Sequence, residues 1–236
     1  MFTAMIPDKN IADVLLKNKV HYHPVIALNR TKEKVASLDL SKTNLDFTSG
    51  IFNDMEAFNA FIEQQREAVH SKFLIGGYRE HREMYRRSAL FNAEEPRSLH
   101  LGIDIWGPAG TKIYAPLGGM IHSFRYNDNY GDYGATIIMQ HQLETFNFYL
   151  LYGHLSLKDL EGLQEGHYIT RGQAFAHFGT PVENGNWPPH LHFQLILDIG
   201  GWEGDYPGVC KLSEAMKYLQ NSPDPSLFLN MDLHQD

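Results

Sequence analysis

A chain of 236 residues can hold one large domain, or a medium one with an extension, and 43% hydrophobic with 20% charged residues is the composition of a globular protein rather than a disordered or fibrous one. The formal charge of -8, from 20 Lys plus Arg against 28 Asp plus Glu, comes with no basic run to track a phosphate backbone, which argues against a nucleic-acid partner. No run approaches the roughly 18 apolar residues of a membrane span, and the opening MFTAMIPDKNIADVLLKNKV lacks the apolar stretch of a secretory leader, so no membrane partner and a cytoplasmic location are expected, with a periplasmic or extracellular one only had a leader been removed.

Residues 1–96 are expected to form an accessory region. Apolar clusters at 23–28 and 35–40 suggest short strands. A clearer signal starts at Asn53, an N-cap residue with Glu56 three positions on, followed by Met55, Phe58, Phe61, Ile62, Val69 and Phe73 at helical spacing. The spacing predicts an amphipathic helix near 53–73, ended by Gly76 and Gly77. Beyond it YREHREMYRRSALF carries Arg79, Arg82, Arg86 and Arg87, with Arg97 nearby. The cluster reads as a solvated helix face, and a carboxylate or phosphate clamp is the alternative.

From residue 97 to 206 the character changes to short β-rich runs punctuated by Gly and Pro: IYAPLGGMIHSF, GATIIMQH, FNFYLLYGHLS, AFAHFGT and HLHFQLIL. This spacing predicts a mainly β fold, a compact antiparallel sheet or half-barrel catalytic core with an N-terminal α+β extension. Residues 207–236 read as a tail packed on that core, with a short helix over 213–219 and a turn-rich SPDPS. The single cysteine, Cys210, has no disulfide partner and reads as buried filler.

Thirteen histidines need geometry to choose among them. In PHLHFQLIL, strand alternation puts His190, His192, Gln194 and Ile196 on one face and Leu191, Phe193, Leu195 and Leu197 on a core face. Two imidazoles thus project in parallel, about 6 to 7 Å apart, from a rigid support. In HLGIDIW, His100, Gly102 and Asp104 alternate with Leu101, Ile103 and Ile105 in the same way. Zinc accepts imidazole nitrogen and carboxylate oxygen, and a catalytic site uses three protein ligands with a fourth position open. His100, Asp104 and one histidine of the HLH pair supply that number.

These motifs resemble those of peptidase family M23, the zinc metallopeptidases that include lysostaphin and the LytM-like cell-wall endopeptidases, with the duplicated hybrid motif fold. The likeness runs from about Arg97 to Asp198, through HLGIDIWGPAGTKIYAP, GATIIMQH, YLLYGHLS, GQAFAHFGT and NWPPHLHFQL. It implies zinc on His100, Asp104 and His192, with His154 and His190 as unligated catalytic histidines. It also implies an antiparallel sheet with the metal in its groove. Zinc acidifies water and polarises a carbonyl. With no HExxH glutamate in the chain, histidine is the available general base. His190 is assigned to activating water and His154 to the oxyanion or leaving amine, roles that could be exchanged.

Of the other histidines, His141 follows the apolar run ATIIMQ and is expected to support the site or the fold rather than react. His21, His23, His70, His81, His122, His167, His177 and His234 lack a supporting arrangement. Tyr114 and Tyr152 read as packing residues, while Asn184, Asn186 and Trp187 precede HLH and are expected to shape the groove. Here the chain departs from the family pattern, since Trp187 and two prolines should stiffen one wall. The variant is similar to a module found in larger proteins with kinase-like and aminotransferase domains. The expected activity is zinc-dependent hydrolysis of a peptide or small amide, peptidoglycan-derived peptides included. A non-catalytic binding module on the same scaffold is the alternative. A carrier or phosphotransfer domain, suggested by Gly118 and Gly119, lacks the lysine expected in that turn.

Overall fold

The computed structural model describes residues 10–28, 33–91 and 93–229; His234 lies outside them. In chain order the regular elements are α1 (Ile11–Lys17), β1 (Val35–Leu38), α2 (Ser49–Phe52), α3 (Met55–Ala68) and β2 (Phe73–Gly76). Then come β3 (Leu99–His100), β4 (Ile103–Trp106), β5 (Lys112–Tyr114), β6 (Gly119–Asn127), β7 (Gly134–Leu143) and β8 (Phe146–Leu155). The last are β9 (Tyr168–Ile169), β10 (Ala174–His177), β11 (His190–Ile196), β12 (Val209–Cys210) and α4 (Ala215–Asn221).

The fold is mainly β. Eight strands form one sheet in the order β1-β2-β4-β11-β8-β7-β6-β9, antiparallel at every pairing except β1 with β2. Two-stranded pairs β5·β10 and β3·β12 lie beside it. β1 and β2, which precede residue 96, extend this same sheet, with Gly76 of β2 opposite Asp104 of β4.

Alternation on the central strands sorts side chains as the sequence implied. Ile103 and Ile105 of β4 and Leu191, Phe193 and Leu195 of β11 enter the main core with Ile137, Met139, Leu150 and Tyr152. The opposite face is covered as well, because every residue of β11 is buried. There α3 lays Phe58, Phe61 and Ile62 into a second core with Leu74, Met84, Tyr85, Trp106 and Trp187. Phe58 meets Trp106 at 5.7 Å between ring centroids. Burying each such aromatic side chain stabilises the fold by about 1.5 to 3 kcal/mol.

The structure corrects several sequence expectations. Asp54, not Asn53, caps α3, accepting a hydrogen bond from Ala57 N at 2.8 Å. The helix ends at Ala68, and the apolar run that extended its period is β2, whose four residues are all buried. A run buried on both faces cannot be told from helix by period alone. Of the apolar residues at 23–28, Ile26 makes only an isolated bridge to Ile113. The arginine-rich stretch is a pair of 3-10 turns, Met84–Arg87 and Ala89–Phe91, rather than a helix face. Among the described residues, no helix is long and apolar enough to cross a membrane.

Candidate metal centre

β4 and β11 pair with Asp104 opposite His192 and Trp106 opposite His190, so both histidines of HLH and the aspartate project from adjacent strands onto one face. His100 reaches the same point from β3, across the break at Leu101 and Gly102. That break needs glycine: a Cβ on Gly102 would stand 2.7 Å from the His192 ring and 2.8 Å from Phe193 O.

Three donor atoms converge. His100 Nε2 lies 3.0 Å from His192 Nδ1, and Asp104 Oδ1 lies 3.2 Å from the first and 3.1 Å from the second. All three residues are buried. Among the described residues no other three His, Cys, Asp or Glu side chains gather in this way.

Hydrogen bonds on the far side of each ring set the tautomers. His100 Nδ1 donates to Gly77 O at 2.9 Å, which leaves its Nε2 as a lone pair toward the cluster. His192 Nε2 donates to Gln194 Oε1 at 2.9 Å, which leaves Nδ1 in the same state. Burial and the Arg82 guanidinium push His100 down to about 4, so it is neutral at pH 7. Burial works against an ionised Asp104, yet the Arg82 guanidinium beside it holds its carboxyl well below the usual range. Two lone pairs and a carboxylate meeting without a donor between them repel one another unless a cation sits among them. Ligand atoms of a tetrahedral zinc with bonds of about 2.0 to 2.1 Å stand roughly 3.3 to 3.4 Å apart, so the donor set fits that ion with one position left over.

His190 and His154 flank this cluster. His190 stacks on Trp106 at 3.9 Å and donates from Nδ1 to Pro188 O at 2.7 Å. His154 donates from Nδ1 to Asn184 O at 2.8 Å, and the two rings are 4.1 Å apart. In both, Nε2 is left as the free base. Burial pushes His190 down to about 4, and burial together with His190 holds His154 well below its ordinary value. His154 has φ +62°, at a bulge where Ala135 pairs with Leu155 but Ile137 pairs with Tyr152. A non-glycine residue held in the left-handed region costs about 1 to 3 kcal/mol, and its ring direction follows from that backbone.

The site opens into a cavity of about 250 Å³. Asp104, His154, His190 and His192 are among its lining residues. Met84, Tyr85, Leu90, Phe91 and Trp187 also line it, as do Trp202 and residues 205–209.

Residues 98–202 match the model of peptidase family M23. That stretch is similar to an M23 peptidase domain. Solved structures similar to the chain include a zinc-containing peptidase from Vibrio cholerae, at 26% identity and a TM-score of 0.34, covering 42% of this chain and 27% of that one. Helicobacter pylori Csd3 in its orthorhombic crystal gives 24% identity and a TM-score of 0.34, over 53% of this chain and 32% of that one. The catalytic domain of lysostaphin from Staphylococcus simulans gives 20% identity and a TM-score of 0.35, over 56% of this chain and 86% of that one. The chain therefore spans about a third or less of the first two. No curated protein matches it.

The remaining sequence candidates lie elsewhere. His141 donates from Nδ1 to Gly118 O at 3.1 Å and stacks on Phe148. His177 pairs with Asp159, and His23 packs against Tyr114. Tyr152 is buried in the main core. Tyr85, Tyr133 and Tyr206 line the cavity instead, and the Tyr133 hydroxyl is 3.4 Å from His192 Nε2 and donates to Tyr206 O at 3.1 Å; of the three, Tyr133 stands nearest the histidine cluster. Sequence reasoning passed over it, and over Gln194, although Gln194 lies two residues past His192 on the same strand face. Cys210 is buried, as expected of filler, and burial pushes its thiol up to about 11.

Proposed function

We propose that this M23-like domain is a zinc-dependent hydrolase of a peptide or amide bond, with His100 Nε2, Asp104 Oδ1 and His192 Nδ1 as the metal ligands and His154 and His190 as the groups that move protons. The observation that carries this reading is the convergence of two imidazole lone pairs and a carboxylate oxygen within 3.0 to 3.2 Å of one another. When bound, zinc supplies a polarised carbonyl and an acidified water.

The chain's own residues handle the rest. His190 and His154, neutral with their Nδ1 protons on carbonyl oxygens, each present Nε2 as a base beside the cluster. His190 Nε2 takes a proton from the attacking water, and His154, whose ring lies 4.1 Å away, receives that proton on its own Nε2 and gives it to the leaving nitrogen, an order that the two could exchange. Trp106 under His190 and the Asn184 carbonyl behind His154 hold the rings in place. The apolar wall of Tyr85, Phe91 and Trp187 excludes water from a substrate side chain. The substrate class is a peptide or small amide, with peptidoglycan-derived peptides the first set to assay.

Zinc content and hydrolysis of short glycine- and D-alanine-containing peptides test this together. We expect one zinc per chain and a cleavage activity that His190→Ala lowers by 100-fold or more while zinc is retained; general acid–base catalysis is worth about 10²- to 10⁴-fold. Protein purified without chelator that takes up no zinc would falsify the reading.

A further inference from the structure

The two oxygens of Asp104 are used differently. Oδ1 faces His100 and His192, while Oδ2 accepts a hydrogen bond from Arg82 Nη1 at 2.5 Å. Arg82 is fully buried. It is clamped from the other side, for its Nε donates to Glu80 Oε2 at 2.5 Å and its Nη1 also reaches Tyr85 OH at 3.2 Å. Gly76, opposite Asp104 on β2, makes room for it, because a Cβ there would stand 2.9 Å from Nη2. A guanidinium is buried at high cost unless carboxylates compensate it, and here two do, one of them belonging to the candidate metal centre.

A carboxylate can coordinate a metal through one oxygen or both. With Oδ2 engaged by a fixed, doubly anchored cation, rotation to present both oxygens would break a buried charge-assisted bond. We propose that Arg82, which lies outside the matched stretch 98–202, is a positioning residue that holds Asp104 as a one-oxygen ligand and so keeps a metal position open for water and substrate. The inference rests on the zinc reading above and adds to it that the segment before the family domain completes the metal site. A guanidinium is suited to the task because its planar fork can serve Glu80 and Asp104 at once, whereas a lysine ammonium has one nitrogen for both.

The test uses the full chain, as metal-free wild type, Arg82→Gln and Arg82→Lys. Zinc affinity is read by competition with a chromophoric chelator, and coordination number by the visible absorption of the cobalt-substituted proteins. Wild type should show the intense spectrum of four-coordinate cobalt. Arg82→Gln should bind zinc 10- to 100-fold more weakly, the usual effect of removing a partner that orients a ligand. Its cobalt spectrum should weaken as Oδ2 joins the metal, with Arg82→Lys in between. A residue needed only for folding would lower the melting temperature without changing that spectrum. Wild-type affinity and spectrum in Arg82→Gln would overturn the proposal while leaving the zinc reading intact. Should neither variant fold, a zinc-loaded wild-type crystal structure decides: one Asp104 oxygen on the metal and the other on Arg82 upholds the proposal, and both oxygens on the metal overturns it. Wild type that binds no zinc overturns both readings.

Discussion

Gln194 shows how a single amide can fix the chemistry of a neighbouring ring. Its Nε2 donates to Pro207 O at 3.2 Å and to Ser222 Oγ at 3.0 Å, so Oε1 must be the atom that faces His192. His192 then carries its proton on Nε2 and turns an unprotonated Nδ1 toward Asp104. Gln194→Leu keeps the side-chain volume but removes the acceptor. We predict a loss of about 1 to 3 kcal/mol of stability from the buried imidazole N–H left unpaired. Zinc affinity should fall roughly 10- to 100-fold. Urea titration of the metal-free protein and chelator competition measure the two separately, and unchanged affinity would remove Gln194 from the site. The histidines and Asp104 were legible in the sequence because strands alternate with period two, which sorted HLHFQLIL into a polar and an apolar face. Arg82 was not, since nothing local distinguishes it from the three other arginines between residues 79 and 87. Its burial is decided by Glu80, Asp104 and the gap left at Gly76.

The segment between β2 and β3 brings Met84, Tyr85, Leu90 and Phe91 to the cavity lining. Its described residues form two 3-10 turns and an isolated bridge of His81 to Leu99, and Arg87 fastens it to two loops within residues 98–202. The guanidinium lies 4.7 Å from the ring centres of both Tyr130 and Trp187, and donates to Asn186 O at 3.1 Å and, through Nε, to Tyr130 OH at 3.0 Å. Each cation–π contact is worth about 0.5 to 2 kcal/mol. Arg87→Ala should loosen Tyr85 and Phe91 from the cavity without touching the proposed metal ligands. For a cleaved peptide, KM should therefore rise several-fold with kcat changed less than about twofold, the pattern of lost ground-state and transition-state binding in equal measure. A fall in kcat alone would mean that the wall acts on the chemistry instead. Element boundaries were the least legible part of the chain. Phe58, Phe61 and Ile62 announced α3, but Phe73 prolonged its period into what is β2, because a short strand covered on both faces carries no alternation to mark it. The pairing of β2 with β4, which sets Gly76 beside Asp104, is a long-range contact that no local pattern encodes.

At the scale of the whole molecule, neutral histidines buried in both the site and the sheet make the fold sensitive to acid. His141 isolates the effect because it lies away from the cavity. It sits on β7 with its Nδ1 proton on Gly118 O and its Nε2 without a partner, and burial pushes it down to about 4. A histidine in the unfolded chain titrates near 6.5. Below that pH the unfolded state binds a proton that the folded state refuses until about pH 4, so unfolding becomes progressively easier as pH falls through this window. At pH 4.5 the loss from His141 amounts to about 2 to 3 kcal/mol relative to pH 7.5. Asparagine at 141 can place an amide N–H near the position of Nδ1–H but does not titrate. Urea midpoints of wild type and His141→Asn, taken in chelator so that metal release does not contribute, should therefore converge as pH is lowered from 7.5 to 4.5, whatever packing the substitution costs at neutral pH. Parallel curves would mean that His141 gains its proton equally in both states, and the acid sensitivity would then have to come from the histidines around the proposed metal centre.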